Sequence, residues 1–148
     1  MLEITRRVQH VNPNYDLEGL LELVFKAIPG VRNVVRQGGA GDRGADLIVE
    51  FEGGLPHPAL QTQHKCVVQA KSYCGDQWDT RAVEDIGRAF VAYPDADMGL
   101  IVSTADSSTK ALDKAIKELR QASGKRVELL IGPDVARFLL RFGGGVIE

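Results

Sequence analysis

Two stretches of the sequence carry polar residues next to apolar runs. Residues 66–71 indicate a buried strand that turns polar at its end, and residues 44–50 indicate a second strand with Asp46 near its start. Side chains alternate along a strand, so Gln69 and Lys71 project from the same side. A lysine that ends an apolar strand needs water, an anion or a carboxylate. We expect the two strands to bring Asp46, Gln69 and Lys71 together as a metal-dependent phosphodiesterase centre.

The chemistry expected there follows from these residue types. Hydrolysis of a phosphodiester needs neutralised phosphoryl charge and an activated water, and Mg²⁺ with oxygen ligands supplies the first. Asp46 would be the central carboxylate, with the amide oxygen of Gln69 and the carbonyl of Ala70 as further ligands. Lys71 would orient and activate the water. Mn²⁺ is a possible substitute for Mg²⁺. The competing interpretation makes Asp46 a turn acid and Gln69 and Lys71 an exposed strand end, and the short spacing alone does not decide between the two.

A second carboxylate is expected from an amphipathic helix that begins near residue 16. Apolar residues recur there at intervals of three and four until Pro29-Gly30 stops the helix. Glu18 falls at the border of the apolar stripe and Glu22 lies further toward solvent. Glu18 is therefore the expected metal ligand, directly or through water, and Glu22 stays an open alternative.

The bulk composition is typical of a single globular domain. The chain has 148 residues, 44% of them hydrophobic and 26% charged, and a formal net charge of −2. This balance excludes a strongly basic nucleic-acid-binding module. The folded core is expected at about 16–140, with a flexible glycine-rich tail at 143–148. Without a run that would span a membrane or a secretory signal, and with two cysteines that form no zinc signature, the sequence predicts a cytoplasmic protein.

The predicted element order is helix, three strands, helix, strand, helix, strand, helix. This order predicts an α/β fold, a mixed sheet of about five strands with helices on both faces. The second and third strands are close enough in sequence to form an antiparallel hairpin. Asp46 would then share a face with Gln69 and Lys71 only if it opposes one of them rather than Ala70. Residues 106–108 offer caps for the third helix, and a last helix is expected from Gly132 through Leu140.

A literal GxGxxG at Gly39, Gly41 and Gly44 suggests a dinucleotide site, but a β-like run follows it where that site needs a helix. A glycine turn between strands explains it better.

Several residues are candidates for contacts with DNA. Tyr73 and Trp78 could stack on bases, although such aromatics more often anchor loops. The third helix carries a basic strip that includes Lys110 and Lys114, and a solvated face is the common alternative. Arg43, in the glycine turn, completes the predicted DNA-binding set.

The motif order resembles that of the catalytic domain of Mrr-type restriction endonucleases, in the PD-(D/E)xK nuclease superfamily. The resemblance rests on residues 42–49, 68–71 and 100–104, with Ala111 downstream, and covers roughly residues 16–140. It implies the restriction-endonuclease-like fold and Mg²⁺-dependent DNA cleavage. The residues it implies are the metal-binding acid Asp46, a QxK half-motif at Gln69 and Lys71, the helical glutamate Glu18 and the accessory aspartate Asp42.

Two departures from the superfamily pattern are Ala45 where proline can stand and Gln69 in place of an acid. Glutamine leaves one carboxylate fewer, which makes Glu18 more important. Mrr-type proteins usually carry a separate DNA-recognition domain, and none is visible here, so the resemblance implies DNA as partner and either a homodimer or a recognition domain or subunit. The domain alone should bind DNA weakly and with strong salt dependence. The rival functions are a junction-resolving or repair nuclease of the same fold and a catalytically silent binding domain.

Overall fold

A five-stranded mixed sheet with strand order β1-β2-β3-β4-β5 forms the centre of the fold. The computed structural model describes residues 15–37, 44–55, 57–71, 80–105 and 107–143. The strands are β1 (Val31–Arg36), β2 (Leu47–Gly54), β3 (Gln61–Lys71), β4 (Met98–Ser103) and β5 (Arg126–Ile131). The helices are α1 (Tyr15–Lys26), α2 (Arg81–Ala92), α3 (Lys110–Ser123) and α4 (Gly132–Gly143), and a short 3-10 helix spans Pro58–Leu60.

The strand directions place several chain ends at one edge of the sheet. β1, β2 and β3 pair antiparallel, whereas β3, β4 and β5 pair parallel. The carboxyl ends of β3, β4 and β5 therefore lie together with the start of β2. The predicted element order, the antiparallel hairpin and the mixed α/β sheet are confirmed.

One face of the sheet is covered by α1 and α4. Leu17, Leu21 and Val24 of α1 are almost fully buried and join a core cluster that includes Val68 of β3 and Val135 of α4. Burial of each such side chain contributes roughly 1.5–3 kcal/mol. The apolar spacing of α1 thus fixes the side of the sheet on which the helix lies.

The opposite face of the sheet is covered by α2 and α3. Ile86 and Phe90 of α2 and Leu112 and Ile116 of α3 pack there with strand residues such as Val67. Because neighbours along a strand point to opposite faces, Val67 and Val68 pack in the two different cores. The sheet is therefore buried on both sides.

The element bounds differ from the sequence expectations at several points. β3 begins at Gln61, five residues before the expected strand at 66–71. β2 begins at Leu47 rather than at the preceding residues, because the backbone bends at Asp46. The cap of α3 is Thr109, whose hydroxyl accepts from the backbone N–H of Leu112 at 3.2 Å, and not a residue of 106–108. α4 continues to Gly143, three residues beyond the expected end at Leu140.

Among the described residues, no helix has both the length and the apolar character needed to cross a membrane.

Candidate active site

Asp46 is the buried acid at the end of the β2–β3 ladder. Only 6% of the residue is exposed, and its carboxylate Oδ2 accepts from the backbone N–H of Ala70 at 2.8 Å. Ala70 separates Gln69 from Lys71 in the sequence. The structure therefore brings Asp46 directly against the polar end of β3.

The backbone of Asp46 leaves the regular register of the hairpin. β2 pairs Leu47 with Val68, so a regular continuation would set Asp46 opposite Gln69, the pairing that a shared face requires. Instead, the N–H of Asp46 donates to the carbonyl of Val68, and its carbonyl accepts from the N–H of Gln37 on the other side. Such a bulge-like irregularity re-aims a side chain. The Asp46 carboxylate consequently lies at the end of the ladder, between the two helical layers.

Gln69 is a buried glutamine with an unsatisfied oxygen. The residue is 4% exposed, and its Oε1 has no hydrogen-bond donor among the described residues. An unsatisfied buried polar atom costs roughly 1–3 kcal/mol. Gln69 pairs with Ile101, which belongs to the core under α2 and α3, so its side chain belongs to that layer. A buried oxygen of this kind can accept a cation.

Lys71 ends β3 on the same side as Gln69. Its Nζ lies 3.5 Å from Oδ2 of Asp85 on α2, and 17% of its side chain is exposed. Its backbone carbonyl accepts from the N–H of Thr104, which ties the end of β3 to the end of β4. The lysine thus has the carboxylate partner that its position at the end of an apolar strand requires.

Glu18 approaches from the other layer. α1 packs on the opposite face from Gln69, and a Glu18 carboxylate oxygen lies 3.8 Å from Nη2 of Arg36, the last residue of β1. Arg36 pairs with Leu47, next to Asp46, so Glu18 lies at the same end of the sheet. Glu22 instead faces Lys26 at 3.9 Å along the helix. To ligate the same cation as Gln69, Glu18 would have to reach around the end of the sheet at Asp46.

The donor set around Asp46 fits a hard divalent cation. It combines one buried carboxylate with the amide oxygen of Gln69, which no described residue satisfies, and oxygen ligands are those that Mg²⁺ prefers. Within the described part of the chain, no three His, Cys, Asp or Glu side chains group closely enough to hold a metal by themselves. A cation bound to the Asp46 carboxylate would therefore need further oxygen ligands, such as the Gln69 amide oxygen, backbone carbonyls or water.

The predicted DNA contacts are only partly described. Lys110 begins α3, just after β4, and is exposed at the edge of the sheet that carries Lys71. Lys114 is also exposed and lies 3.9 Å from Glu118 on the same helix. The other predicted DNA contacts, Arg43, Tyr73 and Trp78, lie outside the described residues, as does the accessory aspartate Asp42.

Asp85 and two buried hydroxyls lie at the site but were not predicted from the sequence. Asp85 is 9% exposed and lies within the otherwise apolar inner stripe of α2, which is the signal that could have identified it. Ser103 and Thr104 are fully buried at the end of β4, and Ser103 pairs with Lys71. These residues surround the polar end of β3.

Gly44 fixes the distance between α2 and the chain that leads to Asp46. Its φ is +88°, and a Cβ at this position would lie 2.1 Å from the carbonyl oxygen of Asp85. Only glycine tolerates both this conformation and this approach. The glycine predicted to lie in a turn thus also brings α2 against the site.

Comparisons with known proteins identify the family and the fold of the chain. The family model described as a restriction endonuclease, the Mrr catalytic domain, matches residues 11–139. No curated protein matches the sequence.

Three solved structures share the fold at low sequence identity. The MspJI restriction endonuclease in complex with a 27-mer oligonucleotide gives a TM-score of 0.62 at 18% identity, covering 99% of this chain and 32% of that one. The restriction endonuclease FokI bound to DNA gives 0.65 at 17% identity, covering 99% and 26%. The DNA modification-dependent restriction endonuclease AspBHI gives 0.58 at 17% identity, covering 99% and 35%. The chain spans about a third or less of these proteins. Because the family model covers most of its length, the chain belongs to the Mrr catalytic-domain family of restriction endonucleases.

Proposed function

We propose that this chain is the catalytic domain of a metal-dependent DNA endonuclease of the restriction type. The proposal rests on one contact, in which the Asp46 carboxylate accepts from the backbone N–H of Ala70. Ala70 lies between Lys71 and Gln69, whose side-chain oxygen has no donor among the described residues. Family membership and the DNA-bound structures of MspJI and FokI support DNA as the substrate.

Mg²⁺ is the proposed cofactor, with Mn²⁺ as a substitute. Asp46 and the amide oxygen of Gln69 would hold it, and Glu18 would contribute directly or through water. A residue's N–H and C=O point to the same side of a strand, so the Ala70 carbonyl faces the Asp46 side and suits a further ligand. When bound, the cation neutralises charge on the phosphoryl oxygens and activates water.

Lys71 is proposed to orient the attacking water and to stabilise charge that develops on the phosphoryl group. One water is consumed in the reaction. Its oxygen forms a bond to phosphorus while one phosphorus–oxygen ester bond breaks, and the leaving oxygen receives a proton. The position of Lys71 at the edge of the sheet, partly exposed, is compatible with access to a substrate backbone.

DNA binding is proposed to use the same edge of the sheet. Lys110 lies at this edge and Lys114 follows one turn later on α3, so both could contact phosphates. Arg43, Tyr73 and Trp78 stay proposed contacts on the basis of sequence. Since the net charge is −2, we expect the domain to depend on a homodimer or on a separate recognition domain or subunit. We also propose that it acts in the cytoplasm.

Cleavage of supercoiled plasmid DNA tests this proposal. We expect the wild type to nick or linearise the plasmid with Mg²⁺ or Mn²⁺ and not with EDTA. Asp46→Asn should abolish cleavage, whereas the matched control Asp95→Asn, at an exposed position between α2 and β4, should not. Equal activity with EDTA and with Mg²⁺ would overturn the metal dependence.

The alternative functions predict different results in the same assay. A junction-resolving or repair nuclease would cleave a four-way junction or a damaged duplex in preference to an intact linear duplex. A catalytically silent domain would bind DNA or a protein partner without cleavage at any metal concentration.

A further inference from the structure

Asp85 places a carboxylate beside Lys71 from a different element. Its Oδ2 lies 3.5 Å from Nζ of Lys71, and its Oδ1 accepts from Nη2 of Arg88 at 2.6 Å. The residue is 9% exposed and lies among the buried residues Ala82, Ile86 and Ala89 of α2. Both oxygens of this carboxylate are therefore engaged by cations.

A buried carboxylate at the position of Asp85 destabilises the packing of α2 unless it has a specific partner. Replacing a buried ion pair by well-packed apolar residues is often neutral or stabilising, so a buried carboxylate in an apolar stripe calls for a specific partner. The partner here is the lysine of the proposed active site. The contact of α2 with Gly44 also holds Asp85 at a fixed distance from the segment that leads to Asp46.

Lys71 needs such a partner because its side chain is long. A lysine ammonium sits on a flexible four-carbon stem and loses rotamer entropy when it is fixed. An ion pair to a carboxylate that is itself held by Arg88 fixes the ammonium before substrate binds. Productive geometry at a reacting centre depends strongly on such supporting contacts.

We propose that Asp85 is a positioning residue that holds Nζ of Lys71 at the polar end of β3. The inference rests on the proposed function and deepens it. Asp85 acts through Lys71, and Arg88 keeps the Asp85 carboxylate in place. The chain thus supports its active site with an acid from α2, on the same side of the sheet as Gln69.

Kinetics of three variants test this role. Asp85→Asn keeps the size of the side chain and removes its charge, and it should lower kcat for plasmid cleavage about tenfold to a hundredfold with KM for DNA unchanged. Asp85→Glu restores the charge and should recover part of the rate. Glu84→Gln, at the adjacent exposed position on α2, should match the wild type. Mg²⁺ binding should be the same in the wild type and Asp85→Asn.

A second measurement is independent of cleavage. Carbon-13 relaxation of the Lys71 ε-methylene, assigned by its loss in Lys71→Arg, should report an ordered side chain in the wild type and a mobile one in Asp85→Asn. Equal order in both proteins, or an unchanged kcat in Asp85→Asn, would overturn the role of Asp85 and leave the nuclease proposal standing. A wild type that orders Lys71 but cleaves nothing with any divalent metal would overturn the proposed function.

Discussion

Gln69 is the residue at which the proposed metal site differs most from a site built of carboxylates. Its buried oxygen, which has no donor among the described residues, offers a ligand without charge one residue before Ala70, whose N–H binds the Asp46 carboxylate. Gln69→Glu would place a second buried negative charge there. Without metal, we expect the free energy of unfolding to fall by about 3 kcal/mol or more, because the new charge is uncompensated. Saturating Mg²⁺ should recover much of that loss, because the cation binds the folded variant more tightly than the unfolded one.

Urea unfolding with EDTA and with Mg²⁺ measures this effect. The matched control is Gln61→Glu, at the exposed start of the same strand, where the added charge stays in water. Mg²⁺ stabilisation of Gln69→Glu no greater than that of the wild type would contradict the assignment of Gln69 as a ligand.

Cys66 gives a prediction about alkaline stability. Burial raises the pKa of its thiol from the ordinary value of 9.0 to about 12. Between these values the unfolded chain releases a proton that the folded chain keeps, so the free energy of unfolding falls as pH rises above 9. The expected loss is up to about 1.4 kcal/mol for each pH unit in this window.

Denaturation of the wild type and of Cys66→Ala across this pH range isolates the contribution of the thiol. The variant is less stable throughout because it leaves a cavity, but it should lack the additional decline above pH 9. Parallel pH dependences of the two proteins throughout the window would show that the thiol titrates normally.

At the scale of elements, the packing of α2 against the segment before β2 sets the geometry of the site. Gly44→Ala would force a Cβ to within 2.1 Å of the Asp85 carbonyl at a φ of +88°. Backbone strain and overpacking together should lower the free energy of unfolding by about 2–5 kcal/mol. Gly124→Ala is the control, since Gly124 has a φ of +65° but no atom within 4 Å of the added Cβ.

Denaturant unfolding compares the two glycine variants. Gly124→Ala should lose only about 1–2 kcal/mol, the cost of the left-handed conformation alone. If both variants lost the same amount, close packing of α2 on Gly44 would not contribute to stability.

The strands and helices were largely predictable from sequence because apolar periodicity reflects burial. The five strands and four helices follow the predicted order. The end of an element was less predictable where a cap decided it, as at Thr109, because several neighbouring residues could accept the same hydrogen bond.

The residues of the site were more predictable from the sequence than their geometry was. Alternation along β3 predicted that Gln69 and Lys71 share a side, and the contact of Lys71 with α2 agrees. The bend at Asp46 and the approach of Glu18 from the opposite layer were not predictable, because both depend on how strands and helices meet in three dimensions. Asp85 interrupts the apolar stripe of α2, which is a signal in the sequence, but its pairing with Lys71, 14 residues away on another element, was not predictable.

At the scale of the whole molecule, polar residues from the sheet and from both helical layers lie at one edge of the sheet. β3 contributes Gln69 and Lys71, α2 contributes Asp85, and α1 contributes Glu18 from the other face. A second acid-paired lysine, Lys65, lies in the middle of β3 and pairs with Asp95 at 2.5 Å. The strand thus carries two acid-paired lysines, and the proposed chemistry assigns catalysis to Lys71 alone.

Metal-dependent plasmid cleavage by Lys71→Ala and Lys65→Ala is the most direct test of the active-site proposal. Both variants remove a lysine from β3 that pairs with an aspartate. With saturating Mg²⁺, Lys71→Ala should cleave at least about a hundredfold more slowly than the wild type, because it removes the group that orients the water. Lys65→Ala should stay within about twofold of the wild-type rate, since surface ion pairs contribute little. Wild-type cleavage that Lys71→Ala retains in full would contradict the assignment of the active site to this end of β3.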